Sequence, residues 1–364
     1  MSEEHEHLYR ESSKAGRQER KYLQAKDRSK YKKTDLAKWE AQRKKEHERG
    51  PESKELEKGR VLSISPQGYM VDKEGKLYCC TLRGLLKKAK GLDKNLVTTG
   101  DFVLFTPLND KEGQIFQIEE RKSVLARADN LSRKKMQLIA ANIDQVLITL
   151  SVVNPPLKPF LADRYIIASE KGNMQPIILI NKIDLLEKGS PEELLYQEFK
   201  KSYEANGIRV LPISAATGEG IEALKECMKD KASVFSGQSG AGKSSLINTI
   251  TGLNLKVGDI VGKTKKGSHT TTSTQLVPLP FGGFCIDTPG IKSFGVWKLD
   301  RDEITSYFDE ILEIGSGCRY PDCRHIEEGQ CAVKEAVEQG KISPLRYESY
   351  VNLLLTIDEE HLRR

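Results

Sequence analysis

An α/β fold is predicted for this 364-residue chain: a mostly parallel, doubly wound sheet, preceded by a small all-β barrel and followed by a helical lobe. Three observations predict it. Short segments of period-two alternation crowd residues 60–118. Apolar strands alternate with amphipathic helices over residues 145–286. Beyond Asp302 the pattern turns helical around a tight group of cysteines and a histidine.

Residues 1–56 come first. They are rich in Lys, Arg, Glu and Gln and poor in aliphatic side chains, so they bury too little apolar area to offset the entropy of ordering. A disordered arm is expected, with Thr34–His47 a transient helix. Residues 1–60 hold 18 Lys and Arg against 13 Asp and Glu, which is five of the chain's six net positive charges. Such a localised basic arm suits a polyanion: RNA, DNA or an anionic membrane.

Residues 57–125 follow as the barrel. Arg60–Ser65, Gly68–Asp72, Leu77–Leu82, Asp101–Phe105 and Gln114–Ile118 read as strands separated by Gly, Asp and Asn. Four or five such strands fit a small barrel of the oligonucleotide-binding (OB) type. Lys87, Lys88 and Lys90 lie in the connection after the third strand, a reasonable place for nucleic-acid contacts.

Residues 126–300 form the α/β core. Strands are expected at 145–153, 176–180, 210–213, 233–236, 274–279 and 284–286, with helices at 160–171, 191–206 and 221–228 and another from Lys243. Residues 301–364 make the last domain, with helices at 332–339 and 344–356. No apolar run reaches the roughly 18 residues that span a bilayer. The first thirty residues hold no apolar signal core. A cytoplasmic monomer without a membrane partner is expected. The seven cysteines are an odd number in a chain without a signal, which argues against a disulfide framework. Cys79, Cys80, Cys227 and Cys285 sit in apolar sequence and read as small buried hydrophobes.

The core holds a full phosphate-binding loop, Gly237-Gln238-Ser239-Gly240-Ala241-Gly242-Lys243-Ser244, between a predicted strand and a predicted helix. Its glycines let the backbone wrap around phosphate, and its N–H groups and the helix N-terminus face the anion. Ser245 continues the helix start. Lys243 would reach the β- and γ-phosphates, and the Ser244 hydroxyl would ligate Mg²⁺. This loop alone says only nucleoside triphosphate. Asn181-Lys182-Ile183-Asp184, directly after a buried strand, narrows it. Asp184 can accept from guanine N1–H and from the exocyclic amine, a donor pair that adenine lacks. The Lys182 stem would lie along the base, and Asn181 would tie this loop to the phosphate loop. Ser214-Ala215-Ala216, after the next strand, offers backbone N–H groups for guanine O6.

Asp287-Thr-Pro-Gly290 follows the strand at 284–286. Asp287 would hold Mg²⁺ through water, and the Gly290 N–H would sense the γ-phosphate. In Gly267-Ser-His-Thr-Thr-Thr272 one threonine would complete the Mg²⁺ shell. Thr271 is favoured, although spacing does not separate it from Thr270 or Thr272. Ile291 stands where many GTP hydrolases place a water-positioning glutamine. Slow intrinsic hydrolysis follows, with His269 the nearest candidate for the missing group in cis.

The motifs run in an unusual order: base reading first, phosphate loop later. The same sheet results if its ends are joined and it is cut elsewhere, a circular permutation. With the barrel, the threonine loop, Asp287–Gly290 and the C-terminal Cys/His group, residues 57–355 resemble the small-ribosomal-subunit-dependent GTPase A (RsgA) family. The resemblance implies a circularly permuted P-loop GTPase core, an OB-type N-terminal barrel and a C-terminal helical zinc-binding domain. It also implies late maturation of the small ribosomal subunit, rRNA binding and GTP hydrolysis stimulated by that subunit.

Cys318-x4-Cys323-x-His325-x5-Cys331 offers three thiolates and one imidazole, the donor set of a closed structural Zn²⁺ site. Short surrounding helices make a small core, so the metal is expected to stabilise the lobe. The leading reading is thus a GTP hydrolase with Mg²⁺ and Zn²⁺ as cofactors and the small subunit and its rRNA as partners. The alternative is a nucleotide-regulated RNA- or ribosome-binding module whose hydrolysis is incidental.

Overall fold

The computed structural model describes residues 56–84, 96–128, 136–252, 274–287 and 301–362. The basic arm, Lys87, Lys88, Lys90, His269, Thr270, Thr271, Thr272, Gly290 and Ile291 lie outside the described residues.

The five predicted barrel segments become β1 (Glu57–Ser65), β2 (Gly68–Lys73), β3 (Lys76–Leu82), β4 (Phe102–Pro107) and β5 (Glu112–Ile118). They run β1-β2-β3-β5-β4, and β4 pairs back onto β1, so the barrel is closed. Only β3 and β5 run parallel; the other barrel pairs are antiparallel. This is the OB-type arrangement expected. Alternation on β1 sends Val61 into the barrel core with Val71, Val103, Phe105 and Ile115, and Leu62 outward into the core of the α/β domain.

A hairpin that the pattern did not announce, β6 (Val124–Ala128) with β7 (Met136–Ala141), joins barrel to core. Its alanine-rich strands carry a weak β-branched signal, Val124 and Ile139 alone. Neighbours supply the pairing: Val124 N–H donates to Gly172 O, and Ala141 N–H to Thr99 O.

The α/β sheet runs β10 (Arg209–Pro212), β9 (Gln175–Asn181), β8 (Gln145–Ser151), β11 (Ala232–Gly237), β13 (Phe284–Asp287), β12 (Gln275–Pro278). The first five are parallel, and β12 is antiparallel to β13. β8 is buried along its whole length, as a strand covered on both faces must be. Val146, Ile148 and Leu150 pack with α1 (Pro159–Lys171) and α2 (Pro191–Ala205). Leu147 points the other way, toward α3 (Ile221–Met228) and α4 (Lys243–Thr251). β12 also pairs with β1, at Ser63 and Gln275, so one ladder runs through barrel and core.

The C-terminal lobe consists of α5 (Arg301–Thr305), α6 (Asp309–Gly315), α7 (Ala332–Glu338) and α8 (Pro344–Leu362). Phe308, Ile311, Val333 and Tyr350 form its core, and Ile167 of α1 completes it. Arg346 of α8 inserts against the body of the protein. It pairs with buried Asp163 and with Glu310 (2.7 Å), and its guanidinium lies over the rings of Phe308 (4.3 Å) and Tyr203 (5.2 Å). Burial pushes the Asp163 carboxyl up, and the Arg346 charge opposes that shift. Among the described residues no helix is long and apolar enough to cross a membrane.

Candidate functional site

The carboxyl ends of β8, β9 and β11 lie side by side: Thr149 is opposite Gly237, and Ser151 opposite Asn181. In open α/β sheets this edge is where ligands bind. β11 delivers the phosphate loop there and α4 carries its far end. Gly237 has φ +122°, and a Cβ on it would stand 2.2 Å from Thr149 O. Gly242 has φ +89°, and a Cβ there would meet Asn181 Nδ2 at 2.4 Å. Both positions therefore exclude side chains on two grounds, conformation and space.

Asn181, only 2% exposed, joins two loops. Its Nδ2 donates to Ala241 O (2.7 Å), and its Oδ1 accepts from Ala215 N–H (3.1 Å). Asp184 sits in a short 3-10 turn, Ile183–Leu185, and accepts from Ser214 Oγ at 2.5 Å. Ser214 in turn accepts from Thr217 N–H (3.1 Å). Lys243 folds over its own loop, donating to Gly237 O (3.0 Å) and Gln238 O (2.7 Å). Ser239, Gly240 and Ser245 are exposed, and Ser244 is half-buried on the first turn of α4. Asp287 closes β13, which is parallel to β11 with Ile286 opposite Val234. The strand ends thus bring together every described residue of the three motifs; Thr271, His269 and Gly290 lie outside the described residues.

Sequence reasoning missed one wall of this site. The turn after β8 places the Asn154 carbonyl on Lys182 Nζ and the Pro156 carbonyl on Gln238 Nε2 (2.9 Å). Tyr165 of α1 donates its hydroxyl to Gly237 O at 3.4 Å. The Asn-Pro-Pro turn at a strand end was a visible signal.

In the C-terminal lobe the four ligand atoms of Cys318, Cys323, His325 and Cys331 lie within 4.8 Å of one another. His325 Nδ1 is 3.4 Å from the sulfurs of Cys318 and Cys331, and those sulfurs are 3.8 Å apart. Metal–sulfur bonds of about 2.3 Å in a tetrahedron set sulfurs about 3.8 Å apart, so the donor set and spacing fit Zn²⁺. Glu328 shapes the loop, accepting from Arg324 N–H and Ile326 N–H (2.9 Å each). Without a cation, burial pushes the Cys323 thiol up to about 12 and lowers the His325 imidazole.

A parallel sheet whose phosphate loop follows its base-side loops in the chain, instead of preceding them, defines the circularly permuted P-loop GTPases. The chain belongs to the RsgA GTPase family. The family model, described as RsgA GTPase, matches residues 118–297. The small ribosomal subunit biogenesis GTPase RsgA of Chlorobaculum parvum is 41% identical over 312 residues, 83% of this chain and 98% of that one. The protein of the same name from Actinobacillus succinogenes is 40% identical over 309 residues, 84% of this chain and 85% of its own. Among solved structures, YjeQ from Thermotoga maritima aligns with a TM-score of 0.68 at 32% identity, covering 83% of this chain and 98% of that one. YloQ, a circularly permuted GTPase, aligns at 0.67 and 30% identity, covering 84% and 96%.

Proposed function

We propose that this protein hydrolyses GTP in the biogenesis of the small ribosomal subunit, that it binds the subunit through rRNA, and that the subunit stimulates its turnover. The observation that carries the nucleotide reading is Asn181, whose one carboxamide links the phosphate loop to the Ser214–Ala216 loop. Base and phosphate recognition are thereby held in one rigid frame. The Asp184 carboxylate takes the guanine N1–H and amine, with Lys182 and Ala215 beside the base. Residues Gly237 to Ser245 cradle the phosphates, and Lys243 exchanges its loop carbonyls for β- and γ-phosphate oxygens. Water attacks the γ-phosphorus, the β–γ anhydride bond breaks, and the electrons leave on the GDP β-phosphate. Ser244, Asp287 and Thr271 would hold Mg²⁺, which when bound would neutralise charge on the phosphates. The Gly290 N–H would sense the γ-phosphate, and His269 is the candidate in cis for the missing water-positioning group.

Zn²⁺ on Cys318, Cys323, His325 and Cys331 holds the C-terminal lobe. The domains divide at residues 1–56, 57–125, 126–300 and 301–364, and the protein works as a cytoplasmic monomer. The second reading, a binding module with incidental hydrolysis, draws on Ile291 in place of a water-positioning glutamine. GTP turnover by the zinc-loaded protein, with and without purified small ribosomal subunits, separates the two. Stimulation is expected, and Lys243→Ala should lose about 100-fold or more, the usual cost of deleting a transition-state donor. Tight GTP binding without stimulation would favour the binding module.

A further inference from the structure

The barrel does not merely sit beside the α/β core; it grips the two strands that border the nucleotide-sensing motifs. β12 begins one residue after Thr274, and in sequence only Ser273 separates Thr274 from the threonine run ending at Thr272. β13 ends on Asp287. Thr99, in the barrel connection that enters β4, donates its hydroxyl to Thr274 O at 2.9 Å. The next contact is the lone ladder pair of Ser63 with Gln275. Arg60 of β1 is a third hold: its guanidinium lies 5.1 Å from the Phe102 ring of β4 and 5.0 Å from the Phe284 ring that opens β13.

The Thr99 end is firmly anchored on the barrel side. Thr99 is 2% exposed, and its carbonyl accepts from Ala141 N–H of β7, on the core side, at 2.8 Å, while its neighbours hold the barrel side. Gly100 N–H donates to Val61 O (2.7 Å), and Asp101 accepts from Thr98 N–H (2.7 Å) and from Arg121. The same connection contains Lys87, Lys88 and Lys90 in sequence. A stiff anchor on one side and a strand entering the nucleotide site on the other make a two-ended lever. Among the described residues, the Thr99 hydroxyl is this connection's hold on the start of β12, beside the Ser63–Gln275 pair and the Arg60–Phe284 contact.

We propose that Thr99 is a positioning residue that couples the barrel to the nucleotide site, so that occupancy of either changes the other through the Thr99–Thr274 bond. The inference rests on the nucleotide reading above. Coupling between two binding sites is reciprocal, so nucleotide state must be felt in the barrel as strongly as barrel occupancy is felt at the nucleotide. The group is outside the phosphate and base machinery, so its loss leaves basal turnover intact.

Two measurements on the full chain test it. The first is hydrogen exchange over residues 96–101 with GDP and with a non-hydrolysable GTP analogue. Protection is expected to differ between the two nucleotides in the parent protein and in Thr99→Ser, and the difference to shrink in Thr99→Val, where the Ser63–Gln275 and Arg60–Phe284 contacts remain. The second is GTP turnover with and without purified small ribosomal subunits. Thr99→Ser should keep the stimulation, whereas Thr99→Val should lose about fivefold of it, the worth of one neutral hydrogen bond. Full stimulation in Thr99→Val, or equal exchange with both nucleotides in the parent protein, overturns the proposal. Nucleotide-dependent exchange without any subunit stimulation leaves the coupling standing and removes the small subunit as the activating partner. Should Thr99→Val not fold, the exchange comparison in the parent protein decides alone.

Discussion

The nucleotide motifs and the cysteine cluster are both built on loops, yet they are held in opposite ways. The first sits on the ends of strands whose side chains are fully buried, and its loops are cross-tied by the protein's own amides: Asn181 to Ala241 and Ala215, Gln238 to Pro156. The second sits in a lobe whose apolar core is smaller and borrows Ile167 from α1. There the ligand side chains are themselves part of the packing, Cys331 being 2% exposed and His325 5%. A site of the first kind keeps its shape before its ligand arrives. A site of the second kind depends on the ligand for its shape, because three sulfurs and an imidazole supply few contacts of their own.

Removing metal should expose that contrast most sharply. Structural Zn²⁺ contributes on the order of 10 kcal/mol in small metal-folded domains. Chelation, or Cys331→Ser, should therefore unfold the lobe, seen as loss of protection across α6 and α7, while GTP binding persists. A lobe that stays folded after stripping would erase the distinction. The next effect lies on the joint between the two regions. Arg346→Met leaves Asp163 buried without its cation, and about 3–5 kcal/mol of stability should go with it in denaturant titrations. A loss under about 1 kcal/mol would mean that apolar packing alone docks α8 on α1.

Within the preorganised site the expected effects are on binding, not folding. Asp184→Asn removes a carboxylate partner for guanine. At about 1.5–3 kcal/mol per charged hydrogen bond, GTP affinity should fall about 100-fold by calorimetry with melting unchanged. Equal loss of GTP and ATP binding would show that Asp184 does not read the base. The smallest effect belongs to the scaffold. Ser190 caps α2 by accepting from Glu193 N–H at 3.1 Å, and Ser190→Ala should cost about 1 kcal/mol without touching nucleotide affinity.

Much of this was legible in the residue order. Period-two alternation placed β1 to β5 within a few residues, because each barrel strand has one buried face. Apolar runs marked β8 and β9, because parallel strands are covered on both sides, and the phosphate loop marked the end of β11. The chemistry of the loops was visible for the same reason: glycines where a Cβ would collide, a carboxylate and an amide at strand ends, sulfurs and an imidazole at metal-ligand spacing. Each of these is a property of a residue and its near neighbours.

The rest was settled by contacts between segments distant in sequence, which leave no periodic trace. The β6–β7 hairpin is alanine-rich and becomes a strand pair where Gly172 and Thr99 offer carbonyls. The Asn154–Pro156 wall depends on Lys182 and Gln238 arriving from other strands. The union of barrel and core depends on Ser63 meeting Gln275 and Thr99 meeting Thr274, partners 212 and 175 residues apart that meet once β1 and β12 become neighbours. Hydrophobic pattern and motif chemistry act locally and can be read from one strand of text. Which strand edge meets which is decided by the free energy of the whole packed sheet, and only the folded chain expresses it.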